Sequence, residues 1–81
     1  MSSLSVCIIA HNEEDNIART LESVQWANEI IVVDCESNDK TTAIAKTFTE
    51  KIYSRPNLSN LNVNKNYSFE QATCEWILCL D

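Results

Sequence analysis

Four short apolar runs, separated by stretches with helical patterning, leave this chain few ways to fold. Leu4–Ala10 (LSVCIIA), 29–33 (EIIVV) and 75–80 (EWILCL) are almost continuously apolar, the pattern of strands covered on both faces. The run 51–54 (KIYS) is shorter and more polar, as expected of a strand at a sheet edge. Between the first two runs, Ile17, Leu21 and Val24 fall at i, i+4 and i+7, one face of an amphipathic helix. Asn12 is its expected N-cap, with Glu13, Glu14 and Asp15 complementing the positive helix end. A second helix is expected after Ser37 or Asp39, with Ile44, Ala45 and Phe48 on its inner side. Residues 55–64 hold the only proline and four asparagines and read as a loop, followed by a third helix over 65–73. Strands alternating with helices imply parallel pairing and right-handed crossovers. The expected fold is α/β, an open doubly wound parallel sheet of about four strands and three helices, forming one domain over 1–81.

The chain contains no glycine. A P-loop needs glycines so that successive amides can close around phosphate, and the dinucleotide-binding fingerprint needs them for its tight turn. Both are excluded, so any phosphate must be held by a metal ion or by side chains. A net charge of −6 argues against nucleic acid as a partner, because that binding displaces counterions with a cationic surface. No run approaches the roughly 18 apolar residues of a membrane span, and Met1-Ser2-Ser3-Leu4 lacks the basic start of a secretion signal. A cytoplasmic protein, at most peripheral to a membrane, is expected. Cys7, Cys35, Cys74 and Cys79 form no C-x-x-C pair and His11 is the sole histidine, which fits reduced thiols better than zinc.

In open parallel sheets, ligands bind beyond the carboxyl ends of the strands. Three runs end there in polar groups: His11-Asn12-Glu13, Asp34 and Asp81. Carboxylates without a glycine loop suit a hard divalent cation, Mn2+ or Mg2+, bridging to diphosphate oxygens. Taken singly, each residue has a plainer reading. Asp34 can be a turn residue, Glu13 to Asp15 can serve a helix dipole, and His11 can be structural.

In combination the residues carry a resemblance. The strand followed by Asn12-Glu13 and a helix with Leu21-Glu22-Ser23-Val24 is one element. Asp34 with Ser37, Asp39 and Thr41, in the pattern D-x-x-S-x-D-x-T, is the second. Lys65-Asn66, Ala72 and Trp76-Ile77-Leu78-Cys79-Leu80-Asp81 form the third. Together, over almost the whole chain, they resemble the opening of the family 2 glycosyltransferases of GT-A type, nearest to the bacterial branch acting on lipopolysaccharide core and related glycans. That resemblance implies an inverting transferase using a nucleotide-diphosphate sugar, a UDP-sugar above all, and a glycan or lipid-linked acceptor. It implies a nucleotide pocket from Ala10, His11, Asn12 and Glu13, with Asp34 accepting a hydrogen bond from the base. Ser37 and Asp39 would shape the adjoining loop, Lys65 would approach the diphosphate, and Asp81 would reach the ribose or the metal. An alternative is a non-catalytic nucleotide-binding or interaction module of the same fold.

Two departures from the family pattern matter. Cys35-Glu36 and Asn38-Lys40 stand where the family often has glycine, and Glu36 and Lys40 are not expected to take positive φ. Asp81 falls on the first position of the D-x-D motif, and neither its partner Asp nor the general base is in the chain. The 81 residues are therefore expected to be a truncated domain with no catalytic residue of its own, inactive in isolation. Its last strand, expected to lie open, would pair with a second copy.

Overall fold

A computed structural model describes residues 2–80, apart from the side chain of Leu61. Seven elements follow in the expected alternation: β1 (Leu4–Ala10), α1 (Ile17–Ser23), β2 (Glu29–Cys35), α2 (Thr41–Ala45), β3 (Ile52–Arg55), α3 (Leu61–Gln71) and β4 (Trp76–Leu80). All strand pairs are parallel, in the order β3-β2-β1-β4. The sheet is open and doubly wound. The chain moves outward from β1 through β2 to β3, then crosses back over the opposite face to place β4 on the far side of β1.

Alternation along the central strands sends side chains to both faces, and helices cover each. On one face Val6, Ile8, Ala10 and Val32 meet Ile17, Leu21 and Val24 of the α1 segment and Ala45 of α2. On the other, Cys7, Ile31, Val33 and Cys35 pack with Tyr53, Tyr67 and Ala72 on the α3 side. Val6, Ile17, Leu21, Ile31, Val32 and Val33 are fully buried, each contributing on the order of 1.5–3 kcal/mol by leaving water. Burial pushes the Cys7 and Cys35 thiols above their ordinary pKa, so both behave as small apolar core residues.

Four expectations need correcting. Asn12 does not cap α1: its φ is +51° and the helix begins five residues later, where the Asn16 and Ile17 amides both donate to the Glu13 carbonyl (3.0 and 2.7 Å). No acid lies in the first turn of α1, so Glu13 to Asp15 do not serve its dipole from within. The asparagine-rich stretch does not stay irregular up to residue 64. Asn60 Oδ1 accepts from the Asn62 amide (3.1 Å), and this cap starts α3 at Leu61. Finally, β4 is not a buried strand among the described residues: Trp76 is 61 % exposed, and Ile77 and Leu78 also face solvent.

At the amino ends of the strands, one carboxylate ties the sheet together. Glu29 accepts from Ser5 Oγ of β1 (2.6 Å) and from the Thr73 amide and hydroxyl before β4 (2.9 and 3.0 Å), and it pairs with Lys51 before β3. Burial raises its pKa, but the bonds from Lys51, Ser5 and Thr73 outweigh that and bring it from 4.5 to about 2. A carboxyl depressed on folding stabilises the fold above its unfolded pKa, and that stabilisation is lost as pH falls through the folded value. The thermal midpoint is therefore expected to drop between about pH 5 and pH 2, by the equivalent of about 1–2 kcal/mol given the half-exposed Lys51. Glu29→Gln should flatten this window. Parallel acid profiles for the two proteins, measured by circular dichroism, would rule the carboxylate out as the cause.

Candidate functional site

Parallel pairing with Ala10 opposite Asp34 delivers two loops side by side at the carboxyl edge: residues 11–16 after β1 and 36–40 after β2. Both turn without glycine. Asn12 has φ +51° and Glu36 φ +55°, which costs roughly 1 kcal/mol or more for a residue with a Cβ. The expectation that Glu36 would avoid this region is thus wrong; Lys40, at φ −88°, does avoid it. Asparagine tolerates the left-handed region because its short amide can bond locally. Glu36 is held there by its carboxylate, which accepts from the Asn57 amide (2.7 Å).

The two loops are laced together. His11 Nδ1 donates to the Cys35 carbonyl (2.5 Å). The Asn12 amide donates to Ser37 Oγ (2.9 Å), while the Asn38 amide donates to Asn12 Oδ1 (2.7 Å). Farther out, the Glu13 amide donates to Thr41 Oγ1 (2.8 Å) and the Glu14 amide to Asp39 Oδ2 (3.2 Å). Glu14 Oε2 returns the contact, accepting from the Lys40 amide (3.2 Å). Asp39 Oδ1 takes both the amide and the hydroxyl of Thr41 (2.9 and 2.5 Å). Loss of solvation pushes the Asp39 carboxyl up, but the Thr41 bonds and the Glu14 amide outweigh it and hold the pKa low. Two of the acids after β1 and β2 therefore satisfy amides at the start of α2.

His11 is a clip in this lacing. A carbonyl can only accept, so Nδ1 carries the proton and Nε2 faces the Asn12 amide group at 3.3 Å as an acceptor.

Two cavities flank the end of β2. One, of about 280 Å3, is lined by Ile9, Ala10, His11, Glu13, Cys35 and, from the β3–α3 side, Asn57, Leu58, Asn64 and Lys65. It gathers four of the residues singled out from the sequence: Ala10, His11, Glu13 and Lys65. The second, wider and about 470 Å3, is lined by Asp34, Glu36, Ser37, Thr42, Ser54, Arg55 and Pro56. Asn12 and Asp39 line neither and act within the loops. Asp34 is 5 % exposed; its Oδ2 accepts from the Ser37 amide (3.2 Å), while Oδ1 has no partner. Asp81 lies outside the described residues, and among those described no three His, Cys, Asp or Glu side chains come together as a metal site. No described helix is long and apolar enough to cross a membrane.

Residues 5–81 match the family model for glycosyl transferase family 2. The chain belongs to that family. It is 39 % identical to an uncharacterised glycosyltransferase of Rickettsia typhi over its whole length, which is 28 % of that protein. A TPR repeat-containing protein of Synechococcus elongatus is 34 % identical over the whole chain, covering 20 % of its own length. The 4,4'-diaponeurosporenoate glycosyltransferase of Staphylococcus haemolyticus is 37 % identical over 82 % of the chain and 19 % of its own length. The chain thus spans less than a third of each of these relatives.

Within this family 2 domain, sequence reasoning named Thr41 only as part of a motif and missed Asn64. Thr41 is fully buried and bridges the two loops. Thr41→Val keeps the shape but removes the acceptor for the Glu13 amide. It is expected to cost about 1–3 kcal/mol in urea unfolding and to speed hydrogen exchange at the Glu13 amide. Unchanged exchange there would show that the lacing does not depend on this hydroxyl.

Proposed function

We propose that this chain binds the nucleotide-diphosphate sugar of an inverting glycosyltransferase, a UDP-sugar, for transfer to a glycan or lipid-linked acceptor in cell-surface polysaccharide or lipopolysaccharide synthesis. The observation that carries the reading is Asp34. A buried carboxylate oxygen without a partner costs about 1–3 kcal/mol, and Oδ1 keeps that vacancy at the carboxyl edge of a parallel sheet, where ligands of such sheets bind. The imide N–H of uracil supplies the missing donor. In the neighbouring cavity, Ile9, Ala10 and Leu58 offer apolar wall and Lys65 offers a cation for the diphosphate.

The lacing of the two loops fixes this frame before ligand arrives, so little ordering is lost on binding. A divalent cation, Mn2+ or Mg2+, enters the reading through Asp81 and would supply positive charge against the departing diphosphate. Work on a nucleotide sugar also suits a cytoplasmic protein at most peripheral to a membrane.

Titration of the chain with UDP, with and without Mn2+ and followed by amide NMR, tests this. Shifts are expected at residues 10–13 and 34–37, and Asp34→Ala should weaken binding about tenfold or more. Silence at these amides in millimolar UDP would end the donor-site reading.

The reading includes assembly. β4 bonds to β1 along one side only among the described residues, and it carries exposed Trp76, Ile77 and Leu78. An apolar edge strand is a template for a second copy of itself. Sedimentation is expected to show a concentration-dependent dimer that Ile77→Lys disperses. A monomer at every concentration would refute the β4 pairing.

A further inference from the structure

Asn64 sits in the second turn of α3, 3 % exposed, on the wall of the 280 Å3 cavity beside Lys65. Its amide nitrogen is fully engaged, donating to the Pro56 carbonyl (2.8 Å) and to Cys35 Sγ (3.4 Å). Those contacts fix which way the side chain lies, because the reversed amide would set two oxygens against each other at Pro56. The carbonyl Oδ1 is left buried with no partner. Burial without a partner is unfavourable for an amide oxygen, and Asn64 lines the same cavity as Lys65, the cation assigned to the diphosphate.

Resting on the donor-binding reading above, we infer that Asn64 is a specificity residue whose Oδ1 accepts from a ribose hydroxyl of the nucleotide. Two considerations favour ribose over base. Asp34, with its own vacant oxygen, lines the neighbouring cavity and already answers the single N–H that a uracil ring carries in a nucleotide. The sugar hydroxyls are then the remaining donors on the nucleoside. Ribose is also the unit covalently next to the diphosphate, and Asn64 lines the same cavity as Lys65. Discrimination follows from the vacancy: a ligand lacking the hydroxyl leaves Oδ1 unpaired, and such sites reject the deficient analogue strongly.

The test compares UDP with its 2'-deoxy and 3'-deoxy analogues on the 81-residue chain by calorimetry. One of the two analogues is expected to bind at least about tenfold more weakly than UDP. In Asn64→Leu, similar in size but without the amide, the gap should close to within about twofold. A second readout needs no variant: the Asn64 side-chain NH2 resonance should move with UDP and stay in place with the discriminated analogue. Equal affinity for all three nucleotides, or a preference that survives in folded Asn64→Leu, overturns this inference and leaves the donor site standing. An NH2 signal that moves alike with all three overturns it in the same way. Absence of binding by any of them sinks both.

Discussion

The structure depends on the parallel pairing of β1 with β2. Because both strands run the same way and Ala10 stands level with Asp34, the two following loops leave the sheet at the same height and can bond to each other. Side chains in a strand alternate, so a one-residue slip would turn Asp34 to the other face and exchange the two core layers. The buried sets on either face, Val6, Ile8 and Val32 against Cys7, Ile31 and Val33, make that slip costly. Hydrophobic patterning thus places the Asp34 carboxylate at the carboxyl edge of the sheet. At the opposite end of the strands Glu29 joins β1, β2 and the approaches to β3 and β4, so the register is pinned from both ends.

Much of this was legible in the sequence. The β1 bounds, the parallel pairing and the placing of Ala10, His11 and Glu13 follow from apolar runs and from the rule that parallel strands end at one edge, while Lys65 was expected beside them through the family resemblance. What stayed hidden shares one cause, side chains substituting for backbone conformation. Asn60 caps α3 where an asparagine-rich segment reads as loop, because the same amide that breaks a helix internally begins one at its end. Glu36 adopts a left-handed turn that its residue type disfavours, held by a bond to Asn57 that lies 21 positions away. Asn64 looked like one more loop residue, and only its burial against Cys35 and Pro56 exposes its vacant oxygen. An earlier start for α3, suggested by asparagine just before Leu61, was the available signal.

The acidity of the chain also has a local meaning. Glu14 and Asp39 spend their oxygens on backbone N–H groups that a glycine-rich turn would have aimed at a ligand. The loops are closed upon themselves and offer no amide nest for phosphate. Asp34 Oδ1 and Asn64 Oδ1 are the buried side-chain acceptors left without a partner among the described residues.

Two residues bent into left-handed backbone, in a protein without one glycine, also shape the disordered chain. A glycine at either position would relax the turn but widen the range of shapes available before folding; the first effect, about 1–3 kcal/mol, is the larger, the second being about 0.4–1 kcal/mol. The stress at Asn12 and Glu36 is therefore offset only in part by a narrower starting ensemble. The rim of the sheet gains stiffness in return, and a stiff rim presents its pocket in one shape.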